Sequence, residues 1–115
     1  MHSETLKATD EYSANKATHP RVALADMEGK IERELYFNAG DMESKCHGTE
    51  SSDNPLDLLT ICILVMRNGF TVIGKSAPAS PENFDEEKGR RFAYEDAIKQ
   101  LWPLEGYALR EKLAA

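Results

Sequence analysis

From Leu58 to Ala77 the chain carries two apolar, β-branched runs separated by Asn68-Gly69, the short-range pattern that most strongly marks a two-stranded hairpin. The first run is apolar at successive rather than alternate positions, so both faces of that strand need cover. One face is assigned to helices of this chain and the other to a second copy, which makes a homo-oligomer the first functional expectation. Asn68 and Gly69 are expected to form a type I′ turn, with positive φ at both residues.

Upstream, Leu24, Met27 and Ile31 recur at helical spacing behind Pro20, predicting a short helix that opens near residue 21 and weakens at Gly29. In the next segment Ile31, Leu35 and Phe37 share one face opposite Glu32 and Glu34, which predicts an edge-like strand. Residues 38–55 contain Gly, Ser, Asp, Asn and Pro with few large apolar side chains and read as a long loop, a candidate lid. Downstream, Ser80-Pro81 suits a helix start. Phe84, Phe92, Ala93, Ala97, Ile98 and Leu101 give that helix an apolar stripe, and Asp85, Glu86 and Glu87 complement its positive end. Trp102-Pro103 is expected to break it, leaving a last short helix from Pro103 to Lys112. Residues 1–19 lack apolar periodicity and read as a flexible arm. The predicted fold class is therefore α+β: a small antiparallel sheet centred on the hairpin, covered by two C-terminal helices, with a short N-terminal helix, in a single domain over residues 20–115.

Charge narrows the choice of partners. The chain has 20 acidic and 14 basic residues in 115, a net charge of −6, and a pI near 5.0, which disfavours general binding to nucleic acid or to anionic membrane. Residues 1–55 hold 11 acids against 6 bases, whereas residues 84–115 hold 7 against 6. A local basic site for a small anion fits the balanced C-terminal half. Cys46 in a polar segment and Cys62 in an apolar strand do not make a disulfide framework, and reduced thiols are expected. Met1-His2-Ser3-Glu4 has no basic stretch followed by an apolar one, so retention in the cell that makes the protein is expected, away from membranes.

The candidate ligand-binding set is Arg67, Asn83, Arg90, Arg91, Tyr107 and Arg110. Guanidinium forks match phosphate oxygens, an amide can read a base edge, and a tyrosine can stack on a ring. The competing reading pairs these arginines with Glu86, Glu87, Glu95, Asp96 and Glu111 and makes Asn83 a cap or turn residue. Trp102 and Tyr107, beside Pro103 and among leucines, read as helix-packing anchors. Cys46-His47, with Asp41 and Glu43 nearby and His2 and His19 far off, lacks the spaced ligand pairs of a zinc site. Asp85, Glu86, Glu87 and Asp96 are explained by helix-dipole complementarity and solvation. No phosphate loop, nucleophile elbow or paired-histidine motif is present, so no catalytic residues, no metal and no cofactor are expected.

Three ordered motifs carry a family resemblance: Val65-Met66-Arg67-Asn68-Gly69-Phe70-Thr71-Val72-Ile73-Gly74, Ser80-Pro81-Glu82-Asn83-Phe84-Asp85, and Leu101-Trp102-Pro103-Leu104-Glu105-Gly106-Tyr107-Ala108-Leu109-Arg110-Glu111. With Asp26-Met27-Glu28 and Tyr36-Phe37 upstream, the chain resembles the phage gene-49/gene-66 family of small tailed-phage proteins over most of residues 20–113. The resemblance implies a phage or prophage origin and expression in the host cell cytoplasm, and it supplies no catalytic residues. Some small phage proteins that sequester nucleotide immune signals also combine a β-sheet with C-terminal helices and assemble as oligomers, an analogy of layout and genomic setting. The expected function is that of a counter-defence accessory protein that binds a small nucleotide-like host signal without turnover. The alternative is an interaction module that inhibits or recruits a host or phage protein.

Overall fold

The hairpin forms the centre of a three-stranded antiparallel sheet in the computed structural model, which describes residues 3–16, 20–48 and 53–115. Its strands are β1 (Ile31–Asn38), β2 (Thr60–Met66) and β3 (Thr71–Ser76), in the order β1-β2-β3. The register pairs Leu35 with Ile63 and Ile63 with Ile73, so these three side chains form one row across the sheet. The helices are α1 (Glu4–Lys16), α2 (Leu24–Glu28), α3 (Ala39–His47) and α4 (Glu86–Ala114), with 3₁₀ turns at Pro55–Leu58 and Pro81–Asn83. The fold class is the expected α+β.

Because β-strand side chains alternate between faces, β2 presents two different surfaces. Thr60, Cys62, Leu64 and Met66 are buried against α4, whereas Ile61, Ile63 and Val65 on the opposite face are only half-buried. The core beneath α4 joins Cys62, Leu64, Met66 and Val72 of the sheet to Ala93, Tyr94, Ala97, Ile98 and Leu101, with Leu24 and Met27 of α2 and Leu6 of α1 closing it. Close approach of helix to strand depends on Gly74: a Cβ there would lie 2.0 Å from the Ala93 carbonyl oxygen and 2.6 Å from the Ala97 amide nitrogen. Helix α4 also clasps the outer margin of β3. The Lys75 N–H donates to Asp96 Oδ2 at 3.0 Å, and Gln100 Nε2 donates to the Ile73 carbonyl at 2.8 Å.

Four local expectations need correction. The hairpin turn is not type I′: only Gly69 has positive φ, at 90°. The Gly69 N–H donates to Met66 O, and the Met66 N–H to Phe70 O, at 2.9 and 2.8 Å, the pattern of a three-residue loop ending in a left-handed glycine. Asn68 instead accepts from the Phe70 N–H through its side chain, an Asx arrangement that holds the turn without positive φ at the asparagine.

The expected loop at 38–55 contains α3, which begins where Asn38 accepts from the Asp41 N–H and ends at Gly48 with φ 67°. Capping residues at both ends and the fit of Gly40 against Asp57 compensate for its lack of large apolar side chains. Residues 49–52 of that expected lid lie outside the described residues.

The two expected C-terminal helices are one. Helix α4 starts five residues after Pro81, capped by Asp85, which accepts from the Lys88 N–H at 3.1 Å, while Ser80 bonds Glu82 instead of a helix amide. It continues through Pro103, although an interior proline removes one backbone donor. Packing holds it together: Leu101 is buried, Trp102 lies against the core, and Glu105 bonds Lys30 beyond the turn after α2.

Most of the expected arm, residues 4–16, is helix α1. Ser3 caps it by accepting from the Leu6 N–H and donates to Glu95 of α4. Leu6 is buried, and Asp10 accepts from Arg21 and from the Leu24 N–H at 2.8 and 2.9 Å. One apolar anchor and a polar pin hold a helix that has no apolar stripe, which is why periodicity does not reveal it.

Candidate functional site

Where the hairpin turn meets the second half of α4, it overhangs an apolar cleft of about 520 Å³. Met66 and Leu101 form the buried floor. Phe70 and Leu104, each about half exposed, form the sides. Arg67, Asn68 and Lys30 supply polar groups at the rim. The turn positions them: the Arg67 N–H donates to the Lys30 carbonyl at 2.9 Å, tying the hairpin tip to the chain between α2 and β1. Asn68 uses its side-chain oxygen on the Phe70 amide, which leaves its NH₂ group as a donor. Lys30 Nζ is held by Glu105 at 2.5 Å, while the Arg67 side chain has no ion-pair partner among the described residues. On the far side of the Lys30–Glu105 pair lies a second cleft of about 670 Å³, whose lining includes Arg21, Val22, Leu109 and Lys112.

The six predicted binding residues do not converge. Arg90 and Arg110 lie 20 positions apart on α4, about 30 Å along the axis, and no more than one of the six lines any cleft described here. Arg90 pairs with Glu86 at 2.9 Å, the arrangement of the competing reading. It lines a smaller, acid-rimmed recess with Asp41 and Asp57. Arg91 sits 5.3 Å from the centre of the Phe92 ring. Asn83 is exposed in the 3₁₀ turn. Tyr107 is 69% exposed and so is not a packing anchor, whereas Trp102 is one. Arg110 is exposed, about half a turn around the helix from Leu101 and away from the hairpin cleft.

Arg67 is therefore the predicted residue that overlooks an apolar cavity, and Lys30, Asn68, Phe70 and Leu104 are the lining residues that sequence reasoning omitted. Asn68 and Phe70 had a signal, their adjacency to Arg67 in the turn. Lys30 had none, because its approach depends on a contact with Glu105 across 75 positions.

Three of the four acidic candidates have structural partners, and Glu87 is exposed. Asp85 caps α4, Glu86 pairs with Arg90, and Asp96 accepts from the β3 backbone. Cys46 and His47 are exposed at the end of α3, and His2 and His19 lie outside the described residues. Among the described residues there is no group of three or more His, Cys, Asp or Glu side chains that could hold a metal ion. Burial pushes the Cys62 thiol up to about 11, which keeps it protonated and unreactive near neutral pH. No helix of the described residues is long and apolar enough to cross a membrane.

The fold is that of a small α+β protein with an apolar cleft beneath its hairpin turn. Residues 22–113 match the family described as Phage protein (N4 Gp49/phage Sf6 gene 66), and the chain belongs to that family. No curated protein and no solved structure matches it.

Proposed function

We propose that this phage-family protein binds a small nucleotide-like anion in the cleft beneath the hairpin turn and withholds it from the host without turnover, a counter-defence role exercised in the host cytoplasm. The reading rests on one observation, the Arg67 guanidinium, without an ion-pair partner among the described residues, at the rim of an apolar cavity of ligand size. A base or other flat ring packs between Phe70 and Leu104. Phosphate oxygens meet the Arg67 fork, and the Asn68 NH₂ donates to a polar edge of the ring. Lys30 joins the phosphate contact when it leaves Glu105.

Calorimetry against cyclic dinucleotides and ADP-ribose derivatives tests the reading. Binding is expected, with Arg67→Ala weakening it by about 1.5–3 kcal/mol, the scale of a charge-assisted hydrogen bond, and leaving the melting temperature unchanged. Arg110→Ala is expected to bind as the parent does. No binding by any of these compounds ends the proposal. Mass spectrometry after heat release should return a carried ligand unchanged, since an altered compound would mean turnover. A stoichiometric protein partner with no small molecule would point instead to an interaction module.

A further inference from the structure

We propose that the ligand is a linear dinucleotide, two nucleosides joined through a diphosphate, with one half beneath the hairpin turn and the other in the neighbouring cleft. The inference rests on the reading of the first cleft as a nucleotide site and adds the second cleft, which that reading leaves unused.

The two clefts form one groove with a bar across it. Both are lined by Lys30, Glu105 and Ala108, and the bar is the Lys30–Glu105 ion pair. On α4 the lining residues Leu101, Leu104, Glu105, Ala108, Leu109 and Lys112 recur at the spacing of a single helix face, a run of about 16 Å. The clefts, about 520 and 670 Å³, are each large enough for one ring-bearing half. Each also has an apolar wall, Phe70 and Leu104 in the first and Val22, Ala25 and Leu109 in the second.

The bar is where a linking anion belongs. The Lys30 side chain is 54% exposed and that of Glu105 21%, so a ligand crossing the pair meets the more open ammonium. The bond from the Arg67 N–H to the Lys30 carbonyl brings two cationic residues together at this crossing, one for each phosphate of a diphosphate. In the second cleft Asp26 is ill suited to an anion, but a carboxylate accepts hydrogen bonds from ribose hydroxyls. Arg21, already engaged by Asp10, and Lys112 complete that lining. Neither cleft is lined by a residue of β1 or β3, which leaves an extended peptide no sheet edge to pair with.

Calorimetry on the full chain compares AMP and GMP with diadenosine and diguanosine diphosphate. A nucleoside monophosphate and a dinucleoside diphosphate each carry about two negative charges at neutral pH, so any gain reports the second half and not added charge. The dinucleotide with the better base is expected to bind about tenfold or more tightly than its monophosphate, and Arg67→Ala to weaken both. Asp26→Ala and Ala25→Glu, at exposed positions of α2, are expected to remove most of that advantage with an unchanged circular-dichroism melt. The sign at Asp26 is diagnostic, because without a ribose beside it the loss of a carboxylate would tighten anion binding. A dinucleotide no tighter than its monophosphate, an advantage that survives both substitutions, or a tighter complex with Asp26→Ala overturns the inference and leaves the first cleft's reading intact. Binding of cyclic dinucleotides alone does the same. If no nucleotide of any kind binds, both fall together.

Discussion

The two faces of β2 are built from similar residues and meet different environments. Cys62 and Leu64 are fully buried, whereas Ile61, Ile63 and Val65, one step along the same strand, are only half-buried. What separates them is α4, brought close enough by Gly74, Ala93 and Ala97 to exclude water from one side. Hydrophobicity on its own therefore states that a surface wants cover. Small residues at the crossing point decide which surface this chain covers itself.

The largest test of that difference is Gly74→Ala. Its Cβ would collide with backbone on the Ala93 and Ala97 side, so the loss should exceed the about 1–3 kcal/mol of ordinary overpacking and abolish the cooperative melting transition. Next, Leu64→Ala on the covered face should cost about 2–5 kcal/mol in urea unfolding. Ile73→Thr on the open face should stay within about 0.5 kcal/mol when measured in dilute solution. Equal effects of the two substitutions would erase the distinction between the faces.

Tyr94→Phe probes the covering layer. The buried Tyr94 hydroxyl donates to Glu28 of α2, and its removal should destabilise by about 1–3 kcal/mol by leaving that carboxylate short of a partner. The smallest effect is expected at the outermost layer, where the hydrogen bond from Arg21 holds the Asp10 carboxyl below its usual 3.8, against the opposing pull of burial. A lowered folded-state pKa stabilises fully above the unfolded value and is lost as pH falls through the folded one. The hydrogen-exchange protection factors of α1, corrected for the intrinsic pH dependence of amide exchange, should therefore be constant above about pH 4 and fall in stronger acid.

The sheet was the most legible part of the sequence because its signals are local. Asn68-Gly69 between two β-branched runs announces the hairpin, and Leu24 with Met27 announces α2. Helix α3 was hidden because its stability lies in the caps at Asn38 and Gly48 and not in an apolar stripe. Helix α1 was hidden because Leu6, Ser3 and Asp10 each find partners far along the chain. Pro103 misled because its local penalty, about 3 kcal/mol in a helix interior, is outweighed by Leu101, Trp102 and Glu105 acting through tertiary contacts. The binding set looks like one cluster in the sequence, because sequence shows which residues carry charge. It does not show that an unbroken α4 carries Arg90 and Arg110 to opposite ends.

The clasp of Asp96 and Gln100 on β3 sets a limit on how this chain can aggregate. A strand arriving along that border would have to displace a carboxylate from the Lys75 N–H and an amide from the Ile73 carbonyl before it could pair there. Ribbon-like growth past β3 is therefore hindered, and a chain with so greasy a hairpin is partly guarded there against becoming a fibre.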